Sequence, residues 1–261
     1  DRSPSRGLGD VYKRQALVAP PFTTPGGIST VLYGASTIGI MVVGVSLLMI
    51  GGEFDLSTGV AVISSALMAS LFSWYFATNI WVGVTLALVT SLGIGAINGL
   101  IFIKTRLPSF IVTLSMFLML TGLNLALTRL ISGSVSSPSI STMDGFASAQ
   151  SIFASSVTIF GVNFRITIFY WILLVAVASF ILLRTKVGNW IFAVGGDQNA
   201  ARAVGVPVTA TKIGLFMGVG FCAWVLGMHQ LFAFSTVQSG EGIGNEFLYI
   251  IGAVIRGCLL T

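Results

Sequence analysis

The sequence contains very little charge. Only 8% of its 261 residues are Asp, Glu, Lys or Arg, whereas 55% are hydrophobic and the mean hydropathy is +0.96. Soluble domains carry about 25% charged residues, which lets a polar surface cover the apolar core. This chain has too little polar surface for that, which excludes a soluble globular protein. The composition instead predicts a protein that crosses the bilayer several times.

Residues that bind metals or act as nucleophiles are also scarce. There is one histidine, His229, and the two cysteines, Cys222 and Cys258, lie far apart in apolar stretches. Such cysteines are usually small buried side chains rather than a disulfide or a metal pair. The chain also lacks a G-x-x-x-x-G-K-[ST] stretch, so it is not a P-loop ATPase. We therefore predict no metal site and no catalytic residue.

The positive charge is concentrated at the start of the chain. The formal net charge is +5, and residues 1–15 (DRSPSRGLGDVYKRQ) hold four basic and two acidic residues. Residues 5–15 (SRGLGDVYKRQ) resemble, residue for residue, the translation of a sequencing adaptor of the transposon-tagging kind. We expect residues 1–15 to be non-native and the natural chain to begin earlier. Nine basic and six acidic residues then remain, a net charge of +3, so the high isoelectric point does not argue for nucleic-acid binding.

Long apolar runs dominate the rest of the chain. A bilayer core of about 30 Å requires about 20 apolar residues in a helix. Six runs reach or nearly reach that length, and a seventh begins near Phe247 and is cut off at Thr261. The predicted fold class is an all-α polytopic membrane protein, with about six complete transmembrane helices and a truncated seventh. The six runs are residues 30–50, 60–78, 80–103, 109–131, 166–183 and 213–234.

The connections between these spans differ in composition. Residues 16–29 contain three prolines and two glycines and are predicted to form a loop. The second and third spans are joined around Thr78-Asn79, which predicts a tight antiparallel hairpin. The Ser-rich stretch 132–142 has the composition of a flexible loop.

The lysines and arginines predict the orientation, because cytoplasmic loops are enriched in them. Two connections carry bases and are predicted to be cytoplasmic, whereas the 132–165 and 235–246 connections are predicted to lie outside. Residues 51–59 would by alternation be cytoplasmic, yet they hold two acids and no base. A re-entrant break near membrane depth is an equal alternative for them. The bases are Lys104 and Arg106 in the first connection, and Arg184, Lys186, Arg202 and Lys212 in or beside the second.

The second basic connection, residues 184–212, contains a helix signature. Asp197 is a good N-cap, Gly205 a good residue for the end of a helix, and Pro207 prevents continuation. A helix of about two turns is therefore predicted. It either simply closes a loop or docks a cytoplasmic partner. In the second case Ala200, Ala201 and Ala203 would allow close approach to a groove, and Arg202 would pair with an acid there.

Two carboxylates, Glu53 and Asp55, lie in the stretch GGEFDLSTG, residues 51–59. A catalytic pair has little support, because no His, Lys or Arg lies near them in sequence. An ion or proton site is more plausible, since acids within a membrane mark such pathways. We prefer a third interpretation, in which the two glycines end one helix and Asp55 or Ser57 caps the next. The role of Glu53 stays open.

Polar and small residues also occur inside the spans. Asn98 and Asn124 are candidates for the substrate path, although such residues more often form hydrogen bonds between helices. Gly93, Gly95 and Gly99 predict a face for close helix packing.

Four motifs, in unbroken order over about residues 22–261, resemble the ribose-type sugar permeases, the membrane subunits of ABC importers in the branched-chain and monosaccharide permease superfamily. GGEFDLSTG is similar to the family's G-G-x-D-L-S-x-G, with one extra residue before Asp55. LPSFIVTLSM is similar to P-x-F-I-x-T-L-G-M, with Ser115 where glycine is usual. IIGAVIRGCLLT is similar to A-x-V-I-G-G, with Arg256 replacing a glycine. VGNWIFAVGGDQNAARAVGVPV resembles the family's coupling loop.

The candidate site residues are motif positions that the resemblance implies, together with Glu53, Asp197 and Arg202 from the residue patterns above. In the coupling loop they are Gly195, Gly196, Asp197, Ala200, Ala201, Arg202 and Gly205. In the signature and helix break they are Gly51, Gly52, Glu53, Asp55, Ser57 and Gly59.

The resemblance also implies a mechanism and partners. Two permease copies, identical or paralogous, would form the pathway in the bacterial inner membrane. A cytoplasmic ATPase would bind ATP and Mg²⁺, and an extracytoplasmic binding protein would deliver a sugar or a similar small polar solute. This chain would then hold no cofactor and catalyse no reaction, and it would be incomplete at both ends. An ion-coupled secondary transporter using Glu53 and Asp55, and a membrane scaffold without transport, are the alternatives.

Overall fold

The structure is a computed structural model, and it describes residues 24–255. The expectations for residues 1–15 and for Arg256 and Cys258 lie outside the described residues. Within the described part, six helices are long and apolar enough to cross a membrane, as the sequence predicts. They are α1 (Pro25–Ile50), α2 (Thr58–Tyr75), α3 (Ile80–Thr105), α4 (Ser109–Ser132), α6 (Ile166–Arg184) and α9 (Val208–Phe234). The shorter elements are α5 (Phe146–Phe153), β1 (Ser156–Ile159), β2 (Val162–Arg165), α7 (Lys186–Gly196), α8 (Gln198–Ala203) and α10 (Asn245–Ile255).

The first and the last long spans both begin earlier in the chain than the sequence predicts. The first span begins at Pro25, because Thr24 accepts a hydrogen bond from the Gly27 amide and proline suits the first helical position. The end of the predicted 16–29 loop is therefore helical. The last long span begins at Val208 rather than at residue 213. This places Lys212 inside α9, and not in the loop before it.

The connection 132–165 contains regular structure beyond the Ser-rich stretch 132–142. It contains α5 and an antiparallel hairpin of β1 and β2, which turns at Phe160-Gly161. Both turn residues have positive φ, at 51° and 78°, as a two-residue hairpin turn requires. The Ser29 hydroxyl donates to the Asn163 carbonyl, so the hairpin is fastened to α1. Residues 146–165 therefore form a small folded cap on one end of the bundle, whereas residues 133–142 of the Ser-rich stretch lie outside the helices and strands.

Helices α2 and α9 form the centre of the bundle and are the most buried spans, whereas α6 is the least buried. Small residues allow the helices to approach closely. The Gly95 and Gly99 backbones pack on α9 against Phe216 and Ile213, as the predicted glycine face requires. Gly93 has nothing within 4 Å of an added Cβ, so it does not belong to that face.

The connection after α9 does not stay at one end of the bundle. It pairs with the 132–142 stretch through the bridge Ser136↔Gln238 and then runs inward. Gly242 reaches Gly59 in the first turn of α2, and the Glu246 side chain is buried and accepts from the Gly244 amide. The expectation that all of residues 235–246 form an outside loop is therefore wrong. We call residues 239–246 the inward segment.

Candidate functional site

The break between α1 and α2 lies at the end of the bundle that carries the bases, called here the basic end. α1 ends at Ile50, and the amides of Gly51, Gly52 and Glu53 return to carbonyls of its last turn. Gly52 has φ +79°, a left-handed conformation that glycine adopts without strain. The bases of this end are Lys104 and Arg106 in one connection and Arg184 and Lys186 in the other.

The segment after the glycines is fastened to the start of α4. The Phe54 amide donates to Ser109 Oγ and the Leu56 amide to Thr113 Oγ1, each at 3.1 Å. Residues 54–56 thus satisfy backbone donors with side chains of a neighbouring helix, as a buried non-helical segment requires. The break is held in one conformation by the helix beside it.

Asp55 turns the chain into α2. Its Oδ1 accepts from both the amide and the hydroxyl of Ser57, each at 2.7 Å, and Asn98 Nδ2 donates to Ser57 Oγ at 3.0 Å. The residue at the N-cap position is Ser57, which makes no capping bond with its side chain. Asp55 therefore forms an Asx turn ahead of the helix rather than a cap on its first turn. Burial raises the pKa of the Asp55 carboxyl, an effect that the Ser57 hydrogen bonds oppose.

Glu53 has a partner that sequence reasoning did not find. Its carboxylate forms an ion pair with the ammonium of Lys212, and the two residues are only 4% and 1% exposed. The Lys212 ammonium also lies 5.0 Å from the centre of the Phe102 ring. The pairing could have been suspected from the sequence on one physical ground. A buried acid needs a base, and Lys212 lies at the start of an apolar run. Because Glu53 pairs with Lys212 and Asp55 with Ser57, the two acids do not share one site.

The basic connection 184–207 holds two helices where the sequence predicts one. α7 occupies residues 186–196, and Thr185 accepts from the Gly188 amide at its start. α8 follows Asp197, whose Oδ1 accepts from the amides of Asn199 and Ala200 at 2.7 and 3.1 Å. Gly205 after α8 has φ +84°. We call residues 186–205 the α7–α8 loop.

The α7–α8 loop turns its alanines in different directions. Ala201 is buried and packs with Val194 and Val208, so its predicted contact with a partner is wrong. Ala200, Arg202 and Ala203 are exposed. Two large apolar side chains of the same loop are also exposed, Phe192 by 49% and Val204 by 78%. The surface available to a partner consists of these exposed side chains, Phe192, Ala200, Ala203 and Val204, and is called here the exposed face of the α7–α8 loop.

The break and the α7–α8 loop, about 140 residues apart in sequence, are in contact. The backbone of Gly195 lies directly against the Ile50 carbonyl, and a Cβ at Gly52 would lie 3.5 Å from Gly195 Cα. Gly196 next to it has nothing within 4 Å of an added Cβ. A polar cavity of about 820 Å³ at the same place is lined by Glu53, Lys212 and Arg202, among others. The structure therefore brings the two predicted groups of residues together.

The other candidates lie between helices. Asn98 is fully buried and leaves its Oδ1 without a partner, whereas Asn124 accepts from Ser64 Oγ at 2.9 Å and donates to the Val60 carbonyl. Both join neighbouring spans, and their role in a substrate path stays a prediction. Among residues 24–255, no group of three or more His, Cys, Asp or Glu is placed to hold a metal ion.

Comparison with known proteins gives a family and several relatives. The profile of the family described as "Branched-chain amino acid transport system / permease component" matches residues 27–260. The ribose import permease protein of Escherichia coli strain K12 is 30% identical over 251 residues, which cover 94% of this chain and 74% of that protein. The L-arabinose ABC transporter permease protein of Azospirillum brasilense is 28% identical over 254 residues, covering 96% and 70%. The fructose import permease protein of Rhizobium meliloti is 27% identical over 244 residues, covering 89% and 63%. No solved structure matches the chain.

Proposed function

The chain belongs to the family of permease components of branched-chain amino acid transport systems, and we propose on that basis that it is the membrane-spanning subunit of an ATP-driven sugar importer. It is a multi-pass protein of the bacterial inner membrane, with six apolar helices long enough to span in its described part. The relatives named for ribose, L-arabinose and fructose import support a sugar as the solute. Family membership over residues 27–260 is the observation that carries the proposal.

Energy for transport comes in this proposal from a separate subunit. The sequence holds no P-loop motif, so ATP and Mg²⁺ bind to a partner ATPase, and this chain is a transport subunit rather than an enzyme. A binding protein delivers the sugar at the opposite, extracytoplasmic end. A second permease copy completes the pathway, and ATP binding shifts the equilibrium between its inward-facing and outward-facing states.

The exposed face of the α7–α8 loop supports docking of the ATPase at the basic end. Val204 and Phe192 expose apolar surface on the same loop as the short side chains of Ala200 and Ala203. Exposed apolar residues within a polar surround are typical of sites that bind a protein partner. Arg202 at the same face is available for an acid of that partner.

Transport by the complete protein tests the proposed function. The permease, its ATPase and its binding protein are reconstituted in liposomes, and uptake of labelled ribose, L-arabinose and fructose is measured with and without ATP. ATP-dependent uptake of a sugar is expected. Uptake driven by a proton or sodium gradient without ATP would overturn the proposal in favour of an ion-coupled transporter, and loading with neither energy source would favour a scaffold.

Docking is tested by one pair of valine variants. Val204→Asp places a charge on the exposed face of the α7–α8 loop. We expect it to weaken ATPase binding by about thirtyfold, since a hot-spot residue contributes about 2 kcal/mol, and so to lower the amount of ATPase that co-purifies. Val135→Asp is the control, because Val135 is also exposed but lies in the 132–142 stretch, away from the basic end. Equal ATPase recovery with both variants would contradict docking on this face.

A further inference from the structure

We propose that the Glu53–Lys212 ion pair transmits movement of the docked α7–α8 loop to α2, the central helix of the bundle. This inference rests on the proposed function and names two residues that couple ATP hydrolysis to the transport path. Neither residue lies on the exposed docking face, and both are buried. They are therefore positioning residues, which act through the segments they join and not by touching the sugar or ATP.

The first step is the connection from the docking face to Lys212. Ala201 of α8 packs against Val208, the first residue of α9, and the exposed Val204 follows Ala201 by three residues in the chain. Lys212 follows one turn later on the same helix, and α9 continues through the bundle to Phe234. A force applied to α8 therefore reaches the start of α9 through side chains in direct contact.

The second step is the connection from Lys212 to α2. The Lys212 ammonium holds the Glu53 carboxylate, and Glu53 is only five residues before Thr58, where α2 begins. In the intervening segment the Asp55–Ser57 turn fixes the direction in which α2 starts. The first turn of α2 in turn touches the inward segment, because Gly59 packs against Gly242. Displacement of Glu53 is thus passed to the central helix and to the segment that lies against it.

A buried ion pair is better suited to transmitting movement than to stabilising the folded state. Removing two charges from water costs several kcal/mol each, and replacing a buried pair with apolar residues is often neutral or stabilising. The pair therefore contributes little to net stability. Its directional, charge-assisted contact does fix the position of the break relative to α9, where another contact is apolar, between the Gly51 backbone and the Leu215 side chain. The pair therefore serves to transmit movement between the two segments rather than to stabilise the fold.

The experiment compares neutral and reversed pairs in the complete protein, reconstituted with its ATPase and binding protein. Glu53→Gln with Lys212→Met removes both charges and leaves none unpaired. Glu53→Lys with Lys212→Glu reverses the pair. Lys104→Met is the control, because it removes an exposed base from the same end of the bundle. Three quantities are measured for each protein: recovery of the assembled complex, ATP hydrolysis, and sugar taken up per ATP hydrolysed.

The neutral pair is expected to assemble normally and to hydrolyse ATP, with sugar uptake per ATP lower by about tenfold, within the usual range of a coupling free energy. The reversed pair is expected to recover most of the sugar uptake per ATP of the unaltered protein. Lys104→Met is expected to leave that ratio unchanged. A neutral pair that transports like the unaltered protein would overturn the inference. So would a neutral pair that fails to assemble, because the ion pair would then serve folding. Failure of the unaltered complex to take up sugar with ATP would instead overturn the proposed function.

Discussion

Lys212 and Glu53 form a buried ion pair although 159 residues separate them in sequence. The pair joins the start of α9 to the break that precedes α2. It also resolves the question that the sequence left open for Glu53. The acid is neither one of a catalytic pair nor a free group in a membrane, because a base neutralises it at close range.

Removing one partner of this pair should destabilise the protein far more than removing both. Lys212→Met leaves a buried carboxylate without a base, which is expected to lower the free energy of unfolding by about 3–5 kcal/mol. Adding Glu53→Gln to Lys212→Met should recover most of the lost free energy of unfolding. The thermal unfolding of the purified proteins in detergent measures both changes. A single variant as stable as the double variant would mean that water reaches the carboxylate.

Any side chain at Gly195 should disrupt the contact between the α7–α8 loop and the break. Gly195→Ala places a Cβ against the Ile50 carbonyl, so the loop must move, and we expect a loss of about 1–3 kcal/mol in the free energy of unfolding. Gly196→Ala is the matched control, since an added Cβ there meets nothing within 4 Å. It should be neutral or more stable by up to about 1 kcal/mol, because alanine favours a helix over glycine. Protease cleavage within residues 186–205 and thermal unfolding are the measurements.

Asp55 should be replaceable by asparagine but not by alanine. Asn keeps an oxygen for the Ser57 amide and avoids burying a charge, so Asp55→Asn is expected to be at least as stable as the unaltered protein near neutral pH. Asp55→Ala loses the acceptor and should cost about 1 kcal/mol. Thermal unfolding of the three proteins tests the order. An Asn variant as unstable as the Ala variant would show that the charge itself is needed.

The pH dependence follows from the same burial. Because the pKa of Asp55 is raised in the folded protein above the ordinary value of 3.8, the folded state holds its proton more tightly than the unfolded state. The contribution of this group to stability is therefore greatest below the ordinary pKa and is lost as the pH rises through the folded pKa. The unaltered protein should lose stability relative to Asp55→Asn over that interval. A difference independent of pH would contradict the raised pKa.

The inward segment should depend on Gly59. A Cβ at this position would collide with the Gly242 carbonyl and lie 2.8 Å from the Glu246 carboxylate, so Gly59→Ala should push the segment away from α2. Ser239→Cys reports this movement, because Ser239 is buried and a cysteine there should react slowly with a membrane-impermeant maleimide. We expect faster labelling when Gly59→Ala is added. Gly34→Ala, where an added Cβ meets nothing within 4 Å, should leave the labelling rate unchanged.

Features that depend on a few neighbouring residues could be predicted from the sequence. Apolar length gave the six spans, and the glycines after Ile50, together with Asp197 and Gly205, marked helix ends that the structure also has. The reason is that spanning a bilayer and ending a helix are local requirements, met by hydrophobicity over about 20 residues and by backbone hydrogen bonds within one turn. The four motifs likewise identified the permease family, to which the chain belongs.

Features that depend on which surfaces meet required the tertiary structure. No residue near Glu53 in sequence indicates that Lys212 is its partner. Ala201 has the same side chain as the exposed Ala200, but it packs into the interior. The inward course of residues 239–246 is set by Gly59, which leaves room for Gly242. Composition determined that this chain spans a membrane, because so apolar a chain has no soluble alternative. Close packing alone decided that its helix break, its α7–α8 loop and its buried ion pair form one connected site.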